Sequence, residues 1–145
     1  SGECANESPL SGYAAVMLLC ELARATGERK FLRAAERLGD FAWHGADDRG
    51  GQQRGVFVGG TLDNPDVVDK EAGTISLEAY LSLYESTRET HWLERASRAA
   101  DFAETFIYAW EVPMPAWAGR AWFEGATTVG VQLISTGHSL VDQFM

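Results

Sequence analysis

The stretch LARATGERKFLRAAERLGDFA, residues 22–42, decides the fold, because it returns 61 positions later as LYESTRETHWLERASRAADFA, residues 83–103, without a gap. Nine of the 21 aligned positions are identical: Leu22/Leu83, Thr26/Thr87, Glu28/Glu89, Leu32/Leu93, Ala35/Ala96, Arg37/Arg98 and the triplets Asp40-Phe41-Ala42 and Asp101-Phe102-Ala103. Amphipathic spacing alone does not preserve residue identity in this way, so the chain contains an internal repeat. Within the first copy, Phe31, Ala35, Leu38 and Ala42 recur at helical spacing while Arg33, Glu36, Arg37 and Asp40 stay polar, which predicts a helix with one solvated face. The segment ahead of it, SGYAAVMLLCELARAT from Ser11, is apolar on nearly every side and predicts a helix buried on more than one face. Each unit is therefore expected to be a buried helix, a tight turn and an amphipathic helix returning antiparallel. The Thr-x-Glu of each turn (Thr26 and Glu28, Thr87 and Glu89) suits a cap at the start of the returning helix.

A glycine stands ahead of each buried segment, at Gly12, Gly73 and Gly137, so a third unit is expected to begin near Gly137. With only eight residues left before Met145, that unit would be a stub, which carries the expectation that the natural polypeptide continues. The expected organisation is one all-α unit. It places hairpin 1 over about 11–44, a long loop over 45–70, hairpin 2 over about 71–108, a second loop over 109–136 and the start of hairpin 3 over 137–145. Antiparallel pairing makes both long loops emerge at one end, where the buried helices present their free N–H groups to anionic or hydroxyl-rich ligands.

Composition narrows the partners. The chain has 145 residues, 46% of them hydrophobic, enough for one core. Its 21 acidic and 12 basic residues give a net charge of −9, which repels nucleic acid and anionic bilayers. No apolar run approaches the roughly 18 residues of a membrane span. The start, SGECANESPL, shows no basic and apolar signal-peptide regions, and it does not separate a cytoplasmic from an exported protein. Cys4 and Cys20 have no metal-ligand spacing, Cys20 lies in an apolar run, and His44, His91 and His138 are too scattered for a metal triad. Neither a phosphate loop nor a GxSxG, HExxH or CxxC pattern is present, so no metal and no cofactor is expected.

The two long connections differ in character. The first, GADDRGGQQRGVFVGGTLDNPDVVDKEAG, is glycine-rich, with one β-like run at Val56–Val58 and a cluster of acids at Asp63, Asp66, Asp69 and Glu71. The second, EVPMPAWAGRAWFEGATTVGVQLISTG, carries Trp117, Trp122 and Phe123, with Trp110 just before it. Connections of this length are often functional. Aromatic faces stack on the C–H faces of sugar rings, although rings that pack loops onto helix ends would look the same in sequence.

Repeat length, helix character and the loops DNPDVVDKEAG and STGHSLVDQFM resemble the six-hairpin glycosidase-like superfamily, whose α/α toroids hold six such hairpins in a ring. The resemblance covers nearly all of the chain and departs from the family in length, because two hairpins and a stub do not close a ring. It implies an incomplete barrel and a carbohydrate substrate. Glycoside hydrolysis needs two carboxyl groups, one protonated and one ionised. Asp66 or Asp69 is the expected acid/base carboxylate, the second one being left unplaced, with His138 and Asp142, four apart on the third buried helix, as supporting polar groups. Trp110, Trp117 and Trp122 are the expected sugar platforms and Glu71 a further binding residue. Asp69 equally suits the N-cap of the helix that follows, Glu71 its positive first turn, and His138 a local cap-region hydrogen bond. An amino-sugar epimerase of the same superfamily would rely on histidines, of which only His138 is well placed. A helical-repeat scaffold that binds protein is the reading from another class; its loops would be short at both ends. In an incomplete ring, exposed buried-helix faces are expected to drive self-association.

Overall fold

The computed structural model describes residues 9–44, 70–111, 127–135 and 138–142, with side chains described for 12–43, 70–111 and 127–132. Four helices run α1 Pro9–Thr26, α2 Arg29–His44, α3 Lys70–Thr87 and α4 Thr90–Glu104, followed by strands β1 Gln132–Ser135 and β2 His138–Asp142. The architecture is all-α in its bulk, with one small antiparallel ribbon at the end of the chain.

The repeat is visible in the turns. Gly27 and Arg88 both adopt positive φ, +70° and +63°, and each donates its N–H to the carbonyl four residues back, Ala23 at 2.9 Å and Tyr84 at 2.7 Å. The hydroxyl of Thr26 donates to Leu22 O at 2.6 Å and accepts the Glu28 N–H at 3.2 Å. Thr87 does the same with Leu83 O and Glu89 at 2.8 and 3.2 Å. The threonines thus close the ends of α1 and α3 rather than capping the next helix. Glu89 occupies the N-cap position of α4 with extended backbone, and its side chain makes no cap hydrogen bond.

The same correspondence holds where the helices cross. A Cβ added to Gly12 would meet the Ala42 Cβ at 3.9 Å, and one added to Gly73 would meet the Ala103 Cβ at 3.1 Å; both members of these pairs are related by the 61-residue offset. These glycines lie within the first turns of α1 and α3, so they do not mark the boundary ahead of a helix, and Gly73 lets α4 approach closely.

The hairpins stack side by side. Tyr13 of α1 meets Tyr80 of α3 edge-on, with ring centroids 5.5 Å apart, and the Tyr80 hydroxyl shares its single proton between Tyr13 Oη at 3.4 Å and Gly39 O at 3.3 Å. Around them Val16, Cys20, Ala35, Ala79, Leu83, Trp92 and Ala96 are buried in one core. Full burial of a side chain the size of Val16 or Leu83 stabilises by about 1.5–3 kcal/mol. Gly39 of α2 leaves no room for a Cβ beside Leu83 and Trp92. The next residue, Asp40, binds Arg95 of α4 at 2.7 Å. Contacts in the same order along α2 and α4 give the two hairpins one polarity, with His44, Lys70 and Glu104 at a common end.

Arg95 reaches Asp40 through aromatic rings. Its guanidinium carbon lies 5.1 Å from the ring centroid of Trp43, 5.9 Å from Tyr80 and 4.6 Å from Trp92, and the side chain is 12% exposed. Trp92 stacks on Tyr80 at 6.0 Å, and its buried Nε1 has no hydrogen-bond partner. An orphan donor of this kind costs about 1–3 kcal/mol, so its position is held by packing and by the cation.

One face of α1 is open, in line with the expectation of exposed buried-helix faces: Leu18 is 61% exposed, and Ala14 beside it is exposed too. One expectation is corrected: residues 138–142 form a strand, whereas a buried helix was expected to start near Gly137. The run VGVQLIS, a Thr-Gly pair and HSLVD reads as two β-rich segments around a turn, and that pattern outweighs a glycine whose counterparts at 12 and 73 have another role. His138 and Asp142 therefore stand at the two ends of β2, paired with Ser135 and Gln132 of β1.

Candidate functional site at the common end of the hairpins

The last turn of α2, the first turn of α3 and the end of α4 converge where both long connections leave the helices. After α4, Ile107 bridges Gln132, Tyr108 donates to Val131 O at 3.0 Å, and Gly130 donates to Tyr108 O at 2.9 Å. Gly130, at φ +83°, makes the turn before β1. Gln132 is buried and donates from Nε2 to Ala103 O at 3.1 Å, a carbonyl that also accepts the Phe106 N–H at 3.2 Å. Residues 107–111 and 127–132 are thereby tied into a base from which residues 112–126 depart.

Glu111 fastens that base. Its Oε1 accepts the Thr127 hydroxyl at 2.5 Å, and its Oε2 accepts the Thr128 N–H at 2.9 Å and hydroxyl at 3.1 Å. The Thr127 hydroxyl, then the Thr128 backbone N–H, hold this carboxyl below the usual glutamate range, because each stabilises the charged form. Glu111 is therefore a poor proton donor near neutrality. Both its oxygens accept hydrogen bonds, so Glu111 ties the chain after α4 to residues 127 and 128.

The expected site residues fall into three groups. Glu71 is exposed in the first turn of α3, where its charge suits the positive helix end. Trp110 is 72% exposed beside Glu111, so its ring is open to a ligand. Asp66, Asp69, Trp117 and Trp122, along with the β-like run at Val56–Val58, lie outside the described residues. His138 and Asp142 stand at the two ends of β2 and are not on one helix face. Sequence reading missed Lys70, which is 5% exposed at the first position of α3, a rare degree of burial for lysine. It also missed Glu111, whose partners lie 16 and 17 residues away and share no periodicity with it.

Among the described residues no group of three or more His, Cys, Asp or Glu side chains is arranged to hold a metal ion. No described helix is long and apolar enough to cross a membrane. No protein-family model, no curated protein and no solved structure matches this chain.

Proposed function

We propose that the chain is part of an α/α toroid of the six-hairpin type and acts on carbohydrate as a glycoside hydrolase by carboxylate acid/base chemistry. The observation that carries this reading is the pair of equivalent hairpins whose two long connections leave from one end, with the exposed Trp110 beside it. An open indole is suited to stack on a sugar ring, and Glu71 at the positive end of α3 is suited to accept sugar hydroxyls. Asp66 or Asp69 is the proposed acid/base carboxylate, and Trp117 and Trp122 are further platforms.

The test is a thermal-shift screen and glycan array with neutral, acidic and amino-sugar oligosaccharides, followed by Asp66→Asn and Asp69→Asn on any glycan that is turned over. Asn caps a helix about as well as Asp but transfers no proton, so catalysis predicts unchanged stability and a loss of about 10²- to 10⁴-fold in rate. A rate unchanged in both variants removes the acid/base assignment. Epimerisation of an amino sugar without hydrolysis would place the chain with the epimerases of that superfamily. No response to any glycan would favour a protein-binding helical repeat.

A further inference from the structure

We infer that the chain associates head to tail with a second copy of itself, the α1/α2 side of one copy packing on the α3/α4 side of the next. The inference does not depend on the proposed carbohydrate activity. It begins from the 61-residue offset, which relates not only the two hairpins but also the two faces of each. Within the chain, hairpin 1 offers Tyr13, Val16 and Cys20, and hairpin 2 receives them with Ser76, Ala79, Tyr80 and Leu83; all seven are buried. Shifting the receiving face back by 61 gives Ala15, Leu18, Leu19 and Leu22 on α1, all apolar. None of these four is buried, and Leu18 is 61% exposed where its counterpart Ala79 is 0% exposed. Shifting the offering face forward gives Thr74, Leu77 and Leu81 on α3, each partly exposed, the two leucines also touching the chain's own core. The chain therefore carries both halves of its own inter-hairpin contact, the α1 half open at Leu18 and the α3 half partly exposed.

Charge points the same way. Inside the chain, Asp40 of α2 binds Arg95 of α4. The counterpart of Asp40 on the open side of hairpin 2 is Asp101, which is exposed. The counterpart of Arg95 on hairpin 1 is Ala34, flanked one helical turn away on either side by the exposed cations Lys30 and Arg37. A two-fold dimer through either side would set Asp101 on Asp101 or the Lys30/Arg37 cations on themselves, whereas the head-to-tail arrangement brings Asp101 toward Lys30 and Arg37.

The experiment is analytical ultracentrifugation of the 145-residue chain across micromolar to millimolar concentration, at low and high salt. The expected result is a weight-average mass that rises with concentration and falls with salt, with Leu18→Glu and Thr74→Arg each weakening association by about tenfold or more. Both positions lie on open faces, and circular dichroism checks that each variant folds. Because each blocks one side only, mixing Leu18→Glu with Thr74→Arg should restore a one-to-one dimer through the two intact faces. A monomer at every concentration overturns the inference, as does association insensitive to Leu18→Glu. So does a Thr74→Arg variant that still dimerises alone, the mark of a two-fold contact through α1.

Discussion

Gly73 faces Ala103 so closely that a methyl group at Gly73 would stand 3.1 Å from the Ala103 Cβ and 2.8 Å from Cδ1 of Phe102. Its repeat counterpart Gly12 is roomier, with Leu38 at 3.7 Å and Ala42 at 3.9 Å from the same added methyl. Alanine is about 1 kcal/mol better than glycine inside a helix, so the sign of each substitution depends on the space available. Gly12→Ala is expected to raise stability by up to about 1 kcal/mol. Gly73→Ala is expected to lower it by about 1–3 kcal/mol, the usual cost of overpacking. Urea denaturation midpoints compare the two directly, and a gain at both positions would show that α3 and α4 are packed less tightly than the structure has them.

The turns give a second opposed pair. A non-glycine residue in the left-handed region costs roughly 1–2 kcal/mol, and Arg88 sits there at φ +63°. Arg88→Gly is expected to be neutral to stabilising by about 1 kcal/mol, offset by the greater freedom of glycine in the unfolded chain and by loss of the Arg88 contact over the Tyr84 ring. Gly27→Ala, at the same place in hairpin 1, is expected to destabilise by about 1 kcal/mol, and thermal unfolding of both variants checks the pair.

These corresponding positions show why the fold was legible in the sequence. Turn chemistry and close helix crossings each demand particular residues, so two copies of one hairpin keep Thr26/Thr87 and Ala42/Ala103 as identities that a linear comparison detects. What the sequence concealed belongs to relationships without a period. Leu18 reads as core because leucine in an apolar run usually is; its exposure reflects which neighbours α1 has, and the α1 sequence says nothing about that. Glu111 and Thr128 meet across a long connection, and β2 was obscured by giving Gly137 the meaning of Gly12 and Gly73. Trp110 and Glu71 stand out by residue type and loop position, while the burial of Lys70 carries no signal in the sequence.

Arg95 is expected to tolerate no substitution that loses the planar guanidinium. It is enclosed by Trp43, Tyr80 and Trp92, while its partner Asp40 is 53% exposed. Lysine keeps the charge but neither the stacking nor the fork, so Arg95→Lys should cost about 1–2 kcal/mol. Asp40→Asn should cost less than about 1 kcal/mol, because water already screens that carboxylate. A larger loss from Asp40→Asn than from Arg95→Lys would mean that the ion pair, and not the aromatic enclosure, joins the hairpins.

Alkaline pH should unfold the protein through two tyrosines. Burial pushes Tyr13 from 10.0 up to about 12, and burial together with the neighbouring Tyr13 raises Tyr80 further. Between pH 10 and 12 the unfolded chain releases these protons while the folded chain keeps them. Stability is then fully present below about pH 10 and falls as pH rises through the folded values. Tyr13→Phe removes one of the groups and should flatten that fall, at the cost of the long hydrogen bond from Tyr13 Oη to Ala42 O at 3.5 Å. Denaturant midpoints from pH 8 to 12 measure the slope, and equal slopes in the two proteins would exclude Tyr13 as a source.

Glu111 offers the corresponding test in acid, and it reports on the proposed binding loop. Its carboxyl lies below the usual range because the Thr127 hydroxyl and the Thr128 N–H bind the ionised form. The sign is therefore opposite to that of the tyrosines: the tie is complete above the unfolded glutamate value and is lost as pH falls through the lower, folded one. Glu111→Gln keeps one acceptor oxygen and cannot receive both threonines as an ionised carboxylate does; Glu111→Ala receives neither. Since Glu111 is exposed and distant from the helical core, global unfolding should hardly change in either variant. The expected change is local, with faster proteolytic cleavage within residues 112–126 at neutral pH in the order Ala, Gln, native, and a native rate that approaches that of Glu111→Ala only in acid. Trp117 and Trp122 lie in that same stretch, so any glycan that binds through them should lose affinity in the same order while Asp66 and Asp69 are untouched. Cleavage rates that are equal in all three proteins would show that the backbone bonds of Tyr108 and Gly130 hold the base without Glu111. A glycan affinity that survives in Glu111→Ala would remove Trp117 and Trp122 from the proposed site.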